Sequence, residues 1–406
     1  YPRPPDLAIL RQPTKDPPMI RPVLAALTMP LAALSMLLAA SPARADITIG
    51  ALLSLTGPGA GLGIPERNTI ALLPKMIAGQ AVRWVVLDDA SDTTAAVRAA
   101  RKMIEEDHVD AILGASTTPN SLAILDAIGA DGVPAISLAG SSAVIEPPQG
   151  ARRWAFKLIP SERVATVQIV DHMLGAGKKT LGHIGFANAL GDGYINALNA
   201  QAAARGIQTV AETRYNPGDA SVTPQVLRLI AARPDAIFVA ASSAPAATPI
   251  LELRARGYAG PIYTVQGIAG PDALRVGGKA LDGVMFSSVP VLVAEQMPDA
   301  HPVKAPAMAY VAAYEARYGA GSRSLFGATL WDGFLLIQAA APAALHAGPP
   351  GTTVFRTALR DAMESVQGLA ASEAVFTMTP ADHSGARADS QVMVEIRDGA
   401  YRVLPQ

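Results

Sequence analysis

Residues 85–124 read VVLDDASDTTAAVRAARKMIEEDHVDAILGASTTPNSLAI. The apolar run from Val82 to Leu87 ends on Asp88-Asp89, and a helical pattern follows from Thr93 to Glu106, with Ala96, Val97, Ala100, Met103 and Ile104 on one face. A second short run, Ala111 to Leu113, then enters a turn of small hydroxyl residues at Ser116-Thr117-Thr118, before a helical stretch from Ser121 to Ile128. Strand, helix, strand and helix in immediate succession form the repeating unit of a parallel sheet covered by helices. The runs are too short and too uniformly apolar to leave one face in water.

The same alternation extends in both directions. Upstream, Ile47 to Leu53 runs into the turn Thr56-Gly57-Pro58-Gly59, and a helix weakened by Pro74 is expected from Asn68 to Ile77. Downstream, Pro134 to Ser137 reads as the next strand, and a second series begins near Ser161. Its strands are expected at Leu181 to Phe186, Ile207 to Ala211, Ala236 to Ala240, Pro261 to Val265 and Val284 to Ser287, with helices between them. Helices from Ala305 to Tyr318, Thr329 to about Ala344 and Val354 to Ser365 come next, then short strands at Ala374 to Thr377 and Val392 to Ile396 and one more at Tyr401 to Leu404. This late run of helices is best explained if the chain returns to cover the first sheet. The pattern predicts an α/β protein with two doubly wound parallel-sheet lobes.

Composition bounds the function. The 406 residues are 50% hydrophobic and 17% charged, enough for two domains with real cores and unlike a disordered chain. Thirty-three basic residues balance thirty-four acidic ones, so there is no broad positive field for nucleic acid or an anionic membrane. Cysteine is absent, which removes disulfides, thiolate metal sites and catalytic thiols together. Residues 19–45 read as a secretory signal, with Arg21, an apolar run from Val23 to Ala40 and the small-x-small site Ala43-Arg44-Ala45, so cleavage is expected after Ala45 and the address is periplasmic. The proline-rich residues 1–18 read as extra sequence outside the fold.

Catalytic signals are few. The six histidines, at 108, 172, 183, 301, 346 and 383, have no ligand spacing, and no hydrolase elbow or metalloprotease motif occurs, so no metal, no cofactor and no enzyme activity is expected. Asp88, Asp89 and Asp92 read as caps rather than a metal loop. Gly59-Ala60-Gly61-Leu62-Gly63 after the first strand is roughly a dinucleotide-binding layout, a remote dehydrogenase reading weakened by the missing third glycine and by Pro65. Two other turns, Ser116-Thr117-Thr118 and Ala139-Gly140-Ser141, put hydroxyls and free amides at the carboxyl ends of parallel strands. That is where open α/β sheets hold ligands, and such amides favour a carboxylate; singly, each also reads as an ordinary helix cap.

The stretches DITIGALLSLTGPGAGLG (46–63), 85–124 and VPAISLAGSS (133–142), with Val291 to Asp299 later, resemble type I periplasmic substrate-binding proteins of ABC importers. The nearest kin are the leucine/isoleucine/valine-binding proteins and, within them, the aromatic-acid binders. The resemblance implies a type I periplasmic binding protein fold, two lobes joined by a three-segment hinge: residues 46–159 and 289–372 in lobe 1, residues 160–288 and 373–406 in lobe 2. It implies a monomer that captures a small molecule and delivers it to an ABC permease in the inner membrane. A sensor subunit using the same lobes is the alternative within the fold.

Family roles carry over by position. Ser116, Thr117, Ala139, Gly140 and Ser141 match the places that hold the ligand carboxylate. Gln266 in YTVQGIAG stands where amino-acid binders have an acid for the ligand ammonium, and Leu62 and Leu190 stand where leucine-type binders use tyrosine. The implied ligand is a carboxylate without an α-amino group, of benzoate or phenylpropenoate type, with Leu62, Leu190 and Phe326 against the ring and Gln266 meeting a ring hydroxyl. A branched-chain amino-acid binder is the alternative, with Asp192 or Glu66 as a substitute acid.

Overall fold

The computed structural model describes residues 46–387 and 390–404. The segment expected over 1–18 and the signal expected over 19–45 lie outside the described residues.

Strands β1 (Ile47–Leu53), β2 (Met76–Ile77), β3 (Gln80–Asp88), β4 (Ala111–Gly114), β5 (Ala135–Ser137) and β6 (Ala155–Lys157) form one sheet in the order β2-β3-β1-β4-β5-β6. All neighbours run parallel except the β2–β3 hairpin. β1 is buried along its whole length, as its apolar sequence requires. Ile47, Ile49, Ala51 and Leu53 point into one core and Leu52 into the core on the opposite face, the two-residue alternation of a strand covered on both sides. β3 is only half covered, because its outer neighbour is the two-residue β2.

A second sheet is built from β7 (Thr180–Phe186), β8 (Gln208–Tyr215), β9 (Ala236–Ala240), β10 (Ile262–Val265) and β11 (Val284–Ser288). After a small ribbon of β12 (Leu369–Ala370) and β13 (Val375–Phe376), β14 (Val392–Arg397) and β15 (Ala400–Val403) complete it in the order β15-β14-β11-β10-β9-β7-β8. β14 and β15 are antiparallel and the rest parallel. The chain crosses between sheets three times: after β6, after β11 and between β13 and β14.

The late helices return to the first sheet, as expected. Leu325–Ala347 lays Leu330, Phe334, Leu336 and Ile337 into the core of β1 and β4, each buried side chain worth roughly 1.5–3 kcal/mol. Its length and composition would suit a membrane span, but here most of its apolar surface is covered by the fold. The second lobe was expected to resume at residue 373; instead Ala374, Phe376 and Met378 pack in this same first core, and the chain enters the second sheet only at Val392. Their apolar side chains find a ready hydrophobic face there.

The helix expected at Asn68 to Ile77 lies earlier, at Ala60–Ile70. The glycine run is thus part of a helix, not a loop ahead of one. A Cβ on Gly63 would stand 2.3 Å from the Ser54 carbonyl oxygen, so glycine there lets the helix touch the backbone leaving β1. Pro74 falls beyond the helix end, where proline is tolerated.

Candidate ligand-binding site

A sheet of order β3-β1-β4 reverses its winding between β1 and β4, and one of order β8-β7-β9 reverses between β7 and β9. The crevices outside these two points are where open α/β sheets hold ligands. They face each other. Pro58 and Gly59 after β1, Ser116 and Thr117 after β4, and Leu138 and Gly140 after β5 line one wall of a cavity of about 280 Å³. Phe186 at the end of β7 and Asn188 after it, Ser242 after β9, and Val265 and Gln266 at the end of β10 line the other. Such a volume lies at the small end of ligand clefts.

Of the nine expected site residues, Ser116, Thr117, Gly140, Gln266, Leu62, Leu190 and Phe326 line the cavity. Ala139 and Ser141 do not. The Ala139 N–H donates to Ser137 Oγ at 3.2 Å, and Ser141 Oγ accepts the Ala143 N–H at 3.3 Å, so Ser141 caps the turn that follows it. Thr117 does both, capping Thr118–Ala123 through the Asn120 N–H while it lines the cleft. Of the acidic turn beside β1, only Asp92 caps the next helix as expected; Asp88 and Asp89 instead tie down the loop that leaves β1 and the turn after β3. Asp92 accepts the Ala95 N–H, Asp88 accepts from Leu55 N–H and Thr56, and Asp89 accepts from Ser54 Oγ and Ser91 N–H.

Ser116 is the best-held polar group of the first wall. Its Oγ accepts the Ser54 N–H at 3.0 Å and lies 2.5 Å from Oε2 of Glu66, which stands behind it on the Ala60–Ile70 helix. Glu66 is wholly buried and its Oε1 has no hydrogen-bond partner. Burial pushes its carboxyl up to about 8; the bond to Ser116 opposes the shift and the charge of Asp89 adds to it. Burial thus favours the neutral form of Glu66 near pH 7.

On the second wall Gln266 is buried, and its orientation follows from one neighbour. The Val289 N–H at 3.3 Å requires an acceptor, so Oε1 faces it and Nε2 is left without a partner. Asn188 uses its Oδ1 in the same manner, accepting the N–H groups of Leu190 and Gly191 at the start of Ala189–Ala204. Tyr194 is buried on the turn after Leu190, and burial, with the charge of Glu162, holds its hydroxyl protonated far above the ordinary range. Among the described residues no Asp, Glu, Lys, Arg or His lines the cleft. Asp192 is turned away, paired with Arg214 at 3.1 Å.

Phe186, Asn188, Tyr194 and Ser242 were not anticipated. The rule that singled out the turns after β4 and β5 applies equally to β7 and β9, and Tyr194 lies one helical turn from Leu190, so the signal was present in the second half of the chain.

Two facing α/β lobes, with a cleft of hydroxyls, amides and apolar walls at their switch points, are the architecture of a solute receptor. Residues 46–400 match the model of the periplasmic binding protein family, and the chain belongs to it. It is similar to an extracellular ligand-binding receptor from Rhodopseudomonas palustris HaA2, with 39% identity and a TM-score of 0.86 over 89% of this chain and all of that one. It is 24% identical to Leu/Ile/Val-binding protein homolog 3 of Brucella melitensis biotype 1 over 61% of this chain and 69% of that protein. It shares the fold of the branched-chain amino acid transporter substrate-binding protein of Streptococcus pneumoniae, solved with isoleucine, with 20% identity and a TM-score of 0.73 over 89% and 99% of the two chains. Members of the family are substrate-binding receptors rather than enzymes, and membership implies a periplasmic or extracellular location. The dehydrogenase reading of Gly59–Gly63 gives way to a helix packed on β1.

Proposed function

We propose that this receptor captures a small carboxylate lacking an α-amino group, an aromatic acid of benzoate or phenylpropenoate type, and delivers it to an ABC permease. The observation that carries the reading is the absence, among the described residues lining the cleft, of any acid that could pair an ammonium. Leaving that charge unpaired in a closed cleft costs roughly 3–5 kcal/mol. Ser116 and Thr117 bind the carboxylate, Leu62, Leu190 and Phe326 pack the ring, and the free Nε2 of Gln266 donates to an oxygen on its far side. The Streptococcus pneumoniae receptor solved with isoleucine and the Brucella protein's name favour a second reading, a branched-chain amino acid as ligand.

Thermal unfolding with leucine, isoleucine, valine, benzoate, 4-hydroxybenzoate and cinnamate separates the two. A ligand at ~100 times its Kd adds about 2.7 kcal/mol to native stability. A response to the aromatic acids alone is expected; a response to the aliphatic amino acids alone overturns the first reading.

A further inference from the structure

The Ser116–Glu66 contact supports a further step, which rests on the reading of the cleft as a carboxylate site. A serine hydroxyl has one hydrogen and two lone pairs. One lone pair of Ser116 takes the Ser54 N–H at 3.0 Å, so the 2.5 Å contact with Glu66 Oε2 uses either the hydrogen or the second lone pair. An ionised Glu66 is acceptor only. It would draw the hydroxyl hydrogen backwards and leave Ser116 facing the cleft with an oxygen lone pair, which repels a carboxylate. A protonated Glu66 instead donates to Ser116 Oγ, and the serine hydrogen is free to point forwards.

We propose that Glu66 is a positioning residue: as a neutral acid it donates to Ser116 Oγ and so aims the Ser116 hydroxyl hydrogen at the ligand carboxylate, making capture of the anion dependent on that proton. The surroundings agree. Asp89, beyond the end of β3, is the carboxylate whose charge acts on Glu66, and it disfavours ionisation; its Oδ1 is held by Ser54 Oγ at 2.7 Å and the Ser91 N–H at 2.8 Å. The long helix packed on this side turns its Asp332 to Ser372 and Glu373, and Lys304–Tyr318 contributes Tyr310, whose hydroxyl donates to the Ser324 carbonyl at 2.9 Å. Arg67, the next residue on the Glu66 helix, is exposed. Among the described residues no cation offsets the buried carboxyl, and burial favours its neutral form.

The test is isothermal titration calorimetry from pH 6 to pH 9 with benzoate, cinnamate and leucine, in buffers of differing ionisation heat. All three probes carry a carboxylate. Affinity for whichever binds is expected to fall about tenfold between pH 6 and pH 9, as the competent form is depleted above its midpoint of about 8. Binding at pH 8 should take up a fraction of a proton. E66Q, whose amide keeps a donor towards Ser116 at every pH, should show a flat profile and no uptake. A flat wild-type profile, or an E66Q slope equal to that of wild type, overturns the proposal. Leucine binding alone with the sloped profile would sink the aromatic-acid reading and leave the role of Glu66 standing; no binding by any probe would sink both. Should E66Q fail to fold, the carbon-13 resonance of the Glu66 carboxyl in the wild-type protein decides: a midpoint below pH 6 overturns the proposal.

Discussion

A Cβ built on Gly61 would stand 2.5 Å from Ser243 Oγ. Gly61 lies in the first turn of the helix that follows β1, and Ser243 follows β9 in the other sheet, so the lobes approach closely there and a side chain would have to push the Ser243 hydroxyl aside. Glycine is a poor helix former, about 1 kcal/mol worse than alanine, and its presence on a helix is explained by this approach. Gly61→Leu should leave the thermal stability of the ligand-free protein within about 1 kcal/mol while raising Kd about tenfold or more, because the wedge acts only on closure. Unchanged affinity would mean that closure does not need this contact.

Gln266→Glu keeps an acceptor for the Val289 N–H and turns a second carboxylate oxygen towards the cleft in place of Nε2. Affinity for benzoate-type acids should drop by at least about tenfold, through like-charge repulsion and a lost donor, and leucine should gain. Equal binding of aromatic acids by the variant and the parent, compared by thermal shift, removes Gln266 from the site.

The contribution of the buried carboxyls to native stability should fall as pH rises. Glu66 and Glu373 are buried carboxyls pushed upwards by burial, and in Glu373 by the neighbouring charge of Asp332 as well. Asp332 accepts from Ser372 N–H, Ser372 Oγ and Glu373 N–H, whereas Glu373 Oε2 has no partner, so Glu373 carries the proton of this pair. A folded-state value above the unfolded one means that the native protein binds more protons. The stabilisation is complete below about pH 4.5 and is lost as pH climbs through the raised values, about 8 for Glu66. Urea unfolding from pH 5 to pH 9 should show the parent losing its advantage over E66Q as pH rises through about 8; an identical pH dependence in the two proteins contradicts it.

Lys157 ends β6, is fully buried, and donates Nζ–H to the carbonyl oxygens of Ile159 at 2.5 Å and Pro160 at 3.4 Å, at the first crossing between the sheets. Burial lowers its pKa. Lys157→Met keeps the side-chain length and removes both bonds, leaving two carbonyls short of a donor at a cost of about 2–3 kcal/mol. Chemical denaturation would measure the loss; a variant as stable as the parent would show that the crossing does not depend on the ammonium.

How far the sequence could be read depended on the range of the interaction concerned. The strand-helix alternation of 85–124 and the caps at Asp92 and Thr117 are local, and they stand in the structure where the pattern put them. A cap and an anion site use the same hydroxyl: Ser141 and Thr117 both cap the turn that follows them, and only Thr117 also lines the cleft, a difference no local pattern carries. The direction of the Gln266 amide depends on Val289, a partner in the crossing segment after β11, and the burial of Glu66 depends on Ser116 and a helix that returns from the far end of the chain. No single stretch contains either fact.

Three separate passages of chain join the two sheets, and such a set constrains motion as the pin of a door does. Two bodies tied at one point can swivel, slide and tilt, but three tethers favour bending about one axis as the easy movement. On the proposed reading of the cleft, closure over a ligand is then expected to reduce to one angle. One donor–acceptor dye pair spanning the cleft would therefore record the whole conformational response of the receptor.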